Sequence, residues 1–239
     1  VLAGERVPED SPERRRVYAA FGRNLTDVVE AGRGAGARVL LSTVAVNLRD
    51  CAPFGSIESA GLAGPAREAW REALRAATAA YTNGAVEGSV EALQRLAEQD
   101  ASHAATRFLL ARALEPVKPE EAGALYARAR DWDSIPLRTD TRLNAVIREV
   151  GERTGVPVLD AAAALGEETP AGVPGAAYFY EHVHLTPEGN YALARVFAEG
   201  LVRDLALEGG GDTGEWAGPE RCSARLMVTA WGRASAAEQ

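Results

Sequence analysis

Cysteine is scarce: only Cys51 and Cys222 occur among 239 residues, far apart and in no Cys-x-x-Cys or zinc-like spacing. That excludes a disulfide framework; two unpaired thiols are expected, with a Cys51–Cys222 bridge left open. No apolar run approaches the ~18 residues of a membrane helix, so no membrane span is expected. No secretory signal is visible at the N-terminus. Methionine is nearly absent too. The chain begins at Val1 and its one Met is Met227, so a processed product or a fragment is expected, and the compartment stays open. There is no clustered excess of basic residues. The net charge is −8, which argues against a surface for nucleic-acid phosphates. The one basic run, Arg14-Arg15-Arg16, reads as the solvated start of a helix.

What is present suits a core of ordinary size: 46% of residues are hydrophobic and 25% charged. Val17, Phe21, Leu25 and Val28 recur at helical spacing within 13–31, and Gly32, Gly34 and Gly36 stop the helix. Val39 to Val46 is an almost unbroken, β-branched apolar run, the pattern of a strand buried on both faces of a parallel sheet. Asn47 to Gly55 leaves it as a polar loop. Later, Leu143, Val146, Ile147 and Val150 mark a helix, and Val156 to Asp160 a short strand. Pro157, which cannot donate to a ladder, puts that strand at a sheet edge. Leu193, Val196, Phe197, Leu201 and Leu205 define a last helix from about Pro187. This alternation predicts an α/β fold with a flavodoxin-like parallel sheet.

Residues 64–133 break the alternation. They are rich in Ala, Leu, Glu and Arg and fit four helices, at about 66–81, 85–98, 101–114 and 119–130. The two hairpins repeat at roughly 33–34 residues, with Asp100 opposite Asp133, a period like that of tetratricopeptide repeats. A plain four-helix insertion fits as well. The expected organisation is one α/β domain from 1–63 and 134–207, a helical insertion at 64–133, and a tail at 208–239 that packs Trp216 and Trp231 back onto the main domain.

Chemistry concentrates in Tyr180-Glu181-His182-Val183-His184-Leu185-Thr186-Pro187-Glu188-Gly189-Asn190. Thr186 suits an N-cap, Pro187 the first helical position, and Glu188 the positive helix end. Glu181 and His184 therefore belong to the loop just before a helix. A serine hydrolase needs an imidazole to take the hydroxyl proton and a carboxylate to hold that imidazole's tautomer. A three-residue gap can bring both groups to one place.

These residues resemble the acid–histidine end of SGNH/GDSL-type hydrolases, an Asp-x-x-His on a loop before the C-terminal helix. Here Glu181 stands for the Asp, followed by His184, Thr186, Pro187 and Gly189. The resemblance covers roughly 13–62 and 134–207, and a helical insert resembles a bacterial subgroup that joins this domain to tetratricopeptide repeats. It implies an ester hydrolase or acyl transferase acting on a carbohydrate or small-alcohol ester, with His184 as general base oriented by Glu181, and no cofactor. The family's Gly-Asp-Ser nucleophile block and its oxyanion Gly and Asn do not occur before the helix at 13–31. They are expected upstream, and the chain by itself is expected to be inactive.

Other readings stay beside this one. Asn47 and Arg49, at a strand's C-terminal end, lie where α/β folds bind ligands, and with His182 they are the candidate substrate-binding residues; an Arg49–Asp50 ion pair is the alternative. Asp131, Asp133 and Arg138 read as a structural salt-bridge cluster. His182 and His184 lack the further ligands of a zinc site, so no metal is expected. His103 reads as a surface residue of the insert. Ser56 is the one loop serine near the right strand end. A non-catalytic scaffold gripping a partner protein with its helical insert is the alternative function.

Overall fold

The computed structural model describes residues 6–204 and 216–229. Among these there are nine α-helices and one two-stranded parallel sheet. The expected flavodoxin-like α/β fold is therefore corrected: the described chain is mostly helical. The reason lies in what the run 39–46 does with its backbone. Only Leu41–Ser42 (β1) forms a ladder, in register with Val158–Leu159 (β2). Val44 then gives its N–H and C=O to the Asn144 side-chain amide, at 2.9 and 3.0 Å. Asn47 N–H goes to the carbonyl of His182. A side chain and a loop satisfy the groups that neighbouring strands would have taken. Val44 is 43% exposed, which a central strand would not allow.

Helix α1 (Pro12–Gly34) is capped by the Ser11 hydroxyl on Arg14 N–H, with Pro12 at its start. Its buried face is rotated from the expected stripe. Val29 is buried, with Tyr18, Phe21 and Leu25 beside it, whereas Val17 and Val28 point to solvent. Val29 meets Leu41, Val146, Ile147, Val150 and Val156 in one core. Most of these come from α6 (Thr141–Thr154), which Asp140 caps and which ends at Gly155 in a left-handed conformation, φ 65°.

The insert forms α2 (Gly64–Thr82), α3 (Val86–Gln99), α4 (Ala104–Leu114) and α5 (Pro119–Asp131), close to the expected bounds. They pack as successive neighbours around Trp70, Leu93, Leu96, Leu114 and Tyr126, with Val173 from the later chain joining that second core. Helix α4 starts three residues later than expected because Asp100 first makes a turn onto Ser102, and His103 then caps the helix.

After a short α7 (Ala161–Glu167) the chain reaches α8 (Pro187–Asp204). The residues α8 buries fully are small, Gly189, Ala192 and Gly200. The expected Leu205, the Gly-rich break at 208–212 and Trp231 lie outside the described residues. Trp216 is 43% exposed, and Tyr191 Oη on α8 donates to the carbonyl of Ala217, ahead of α9 (Pro219–Arg225).

Candidate active site

The loop before α8 is closed tightly. Phe179 and Leu185 form an antiparallel bridge, Tyr180 N–H donates to the His184 carbonyl (2.8 Å), and Thr186 N–H to that of Tyr178 (2.9 Å). Phe179 anchors it, 1% exposed. The Thr186 hydroxyl accepts from Gly189 N–H and donates to Ala177 C=O, so it caps α8 and ties it to the preceding turn. The segment 180–184 is thus a short arch on a rigid base.

That arch wraps around one carboxylate. Glu181 Oε2 accepts from His182 N–H (2.6 Å), and Oε1 from His184 N–H (2.7 Å) and Val183 N–H (3.4 Å). Each oxygen also meets an imidazole: Oε1 contacts His184 Nδ1 and Oε2 contacts His182 Nδ1. Backbone N–H groups on both oxygens fix the direction of the Glu181 carboxylate. A neutral His184 then carries its proton on Nδ1, toward Glu181, and keeps the Nε2 lone pair free. The His184 side chain is 78% exposed and that of His182 27%. Burial pushes His182 below the ordinary imidazole value, and the charges of His184 and Arg138 add to this.

The loop after β1 supports the arch from below. Asn47 is 2% exposed. Its Nδ2 donates to the Glu181 carbonyl (2.7 Å), its N–H to the His182 carbonyl (3.1 Å), and its Oδ1 accepts from Asp50 N–H (2.9 Å). These contacts commit Asn47 to holding the arch rather than facing a substrate. Arg49 is turned toward the insert, where its Nε meets Glu115 at 2.5 Å, and Asp50 meets Arg112 at 3.0 Å. The Arg49–Asp50 pair is thereby replaced by two pairs that dock the loop on α4. Of the candidate substrate-binding residues, the structure brings His182 to the Glu181–His184 pair and sends Arg49 elsewhere.

Asp133 and Arg138 lie beneath, each side chain 2% exposed and 3.5 Å apart. Arg138 Nη1 donates to the carbonyls of Asn47 and Cys51, both at 2.8 Å. Its guanidinium also lies under the Phe54 ring, 5.9 Å from the centroid, and Phe54 meets His182 edge-on at 5.3 Å. Phe54, 39% exposed, is a site residue that sequence reasoning missed. The available signal was a large aromatic between Pro53 and Gly55 in an otherwise polar loop. Asp131 accepts from Arg130 and from Thr141 N–H at the start of α6.

Ser56 is engaged elsewhere: its hydroxyl accepts from Ala105 N–H at the start of α4. Among the described residues, neither imidazole has a serine or cysteine hydrogen-bonded to it, and no group of three or more His, Cys, Asp or Glu side chains is placed to hold a metal ion. Comparison with known protein families, curated proteins and solved structures finds no match. A groove of about 740 Å³ between α1 and α6 is lined by Arg15, Arg23, Arg142, Glu149 and Arg153 and by no candidate site residue. Among the described residues no helix is long and apolar enough to cross a membrane.

Proposed function

We propose that the Glu181–His184 pair is the acid–histidine half of a serine ester hydrolase or acyl transferase of the SGNH/GDSL type. The observation that supports this reading most is the Glu181 carboxylate, held by backbone N–H groups and set against His184 Nδ1. In such a reaction a serine hydroxyl passes its proton to His184 Nε2 as its oxygen attacks the ester carbonyl carbon. Glu181 keeps the Nδ1 proton and stabilises the imidazolium. Collapse of the tetrahedral intermediate expels the alcohol, which takes the proton back from Nε2. A water, or an acceptor alcohol, then repeats the sequence on the acyl-serine.

On this reading the nucleophile and the oxyanion donors come from a Gly-Asp-Ser region preceding residue 13 in the natural polypeptide, as the resemblance implies. The substrate is an ester of a carbohydrate or small alcohol. The test is hydrolysis of an activated acetyl ester by residues 1–239, beside His184→Ala and Ser56→Ala variants. The expected outcome is no saturable turnover in any of them, because removing a serine nucleophile costs on the order of a million-fold in turnover. Saturable activity lost in both variants would place the nucleophile at Ser56 and overturn the assignment of an outside serine.

A further inference from the structure

A small cleft of about 170 Å³ lies between α1 and the segment that leads into α6. Val7, Val17, Pro136 and Leu143 give it apolar walls, and the side chains of Arg14 and Arg138 join them. Both arginines are deeply buried, their side chains 4% and 2% exposed. Their Nη groups are engaged. Arg14 donates to the Asp131 carbonyl (2.8 Å) and meets Asp140 at 3.6 Å, and Arg138 donates to the carbonyls of Asn47 and Cys51 and meets Asp133 at 3.5 Å. Each Nε–H, by contrast, has no hydrogen-bond partner among the described residues. A buried cationic donor left unpaired is unfavourable. The counter-charges are only partly free to offset it. Asp140 also accepts from Tyr18 Oη (2.6 Å) and Leu143 N–H (2.7 Å), and Asp133 from the N–H groups of Phe54, Gly55 and Ile135. Burial accordingly pushes Arg138 below the ordinary guanidinium value in spite of Asp133.

We propose that this cleft binds a short-chain aliphatic monocarboxylate, whose oxygens accept from the Nε–H groups of Arg14 and Arg138 and whose chain lies along Val7, Val17, Pro136 and Leu143. A carboxylate is the acceptor that makes charge-assisted hydrogen bonds with guanidinium donors. The apolar walls disfavour an anion that is polar all round, which would leave its outer oxygens without donors. The volume is close to the roughly 150 Å³ that takes a benzene-sized ligand, so a chain of about four carbons fits. Val17 and Glu13 belong to the lining and are exposed, so they stand at the opening. The Glu13 carboxylate there disfavours a second negative charge at the ligand's outer end. Arg138 ties the cleft to the loop that carries Asn47, but the binding does not depend on the hydrolase reading.

The experiment is an NMR titration of the 239-residue chain with butyrate, following the Nε–H signals of Arg14 and Arg138 and the backbone amides of Val17 and Leu143. Saturable shifts of both Nε–H signals are expected, with a midpoint on the order of millimolar, as suits a ligand of about six heavy atoms. Butyramide, which lacks the charge, and succinate, which carries a second one, are expected to bind about tenfold more weakly or worse. Arg14→Lys keeps the charge, removes one Nε–H and should raise the butyrate midpoint by about tenfold or more. Because that substitution disturbs a buried network, Val17→Trp stands beside it. It crowds the opening from an exposed position, leaves both guanidiniums in place and should raise the midpoint by a similar factor. Nε–H signals that butyrate leaves unmoved, a butyramide or succinate midpoint equal to that of butyrate, or binding undiminished in either variant when folded would overturn the proposal. No turnover is read, so a failed hydrolase assignment leaves this result unaffected.

Discussion

Asp133 and Asp100 lie 33 residues apart and do the same job. Each is 1% exposed and turns onto an N–H two residues ahead, that of Ile135 and of Ser102. Each also accepts from the chain after β1: Asp133 from Phe54 and Gly55, Asp100 from Ser59. The repeat visible in the sequence is therefore a pair of anchors for the loop 54–59, and with it for the ground under His182. Asp133→Ala should destabilise by about 3–5 kcal/mol, because it orphans three backbone donors and leaves Arg138 buried without its counter-charge. Denaturant unfolding measures this; a loss below about 1 kcal/mol would contradict the anchoring role. His103 supplies a second residue-scale test. Its Nδ1 accepts from Thr106 N–H at the start of α4, which requires a neutral ring, and its ring meets Trp70 edge-on. Burial pushes its pKa below the ordinary value, against the pull of Asp100 and Glu58. The unfolded chain then binds the proton more readily, so the stabilising effect of the neutral ring is present above about pH 6.5 and is lost as pH falls below it. His103→Asn, a good N-cap that does not titrate in this range, should weaken that part of the pH dependence while keeping the cap. Identical stability–pH curves for the two proteins would remove His103 from the account.

At the scale of elements, the helices of the insert were legible because composition and turn residues mark them without tertiary help. Asn83-Gly84 and Asp100 separate helices where expected. The strand at 39–46 was misread for a physical reason. An apolar β-branched run reports burial, and burial does not say whether the partner is a strand, as for Leu41 on Val158, or an amide side chain, as for Val44 on Asn144. The phase of α1 was misread likewise. Val17 and Val28 fit the helical period as well as Tyr18 and Val29 do, and only the position of α6 selects between the faces. Two glycines in helices separate local propensity from packing. Gly88 on α3 has open space where a Cβ would stand, so Gly88→Ala should stabilise by roughly 0.5–1 kcal/mol. Gly151 on α6 has Val158 Cγ2 at that place, and the Val156 carbonyl at 3.0 Å. Gly151→Ala should therefore lose about 1–3 kcal/mol despite the better helix former. Thermal unfolding of the pair checks both signs, and a stabilised Gly151→Ala would show that β2 is not pressed against α6.

On the scale of the whole molecule, the two cores meet at the candidate site. The α1–α6 core leads through β1 to Asn47, which clamps the arch, while the insert's core reaches the same ground through Leu48, Val173 and the Glu115–Arg49 and Arg112–Asp50 pairs. The acid–histidine pair was legible in the sequence because three-residue spacing before a capped helix is a local feature. Phe54 and Arg138, which reach His182 across 128 and 44 residues of chain, were not, since nothing local in the sequence brings them together. The central claim, that His184 is the general base and Glu181 its orienting acid, is tested most directly by hydrolysis of an activated acetyl ester. The polypeptide to use, on the proposed reading, is one in which these residues are joined to a Gly-Asp-Ser region, with His184→Ala and Glu181→Gln variants beside it. The account expects turnover to fall on the order of 10³-fold or more in His184→Ala and 10²–10⁴-fold in Glu181→Gln, with the amide fingerprint of the arch kept. Turnover unchanged in His184→Ala, in a folded protein that still hydrolyses the ester, would contradict it.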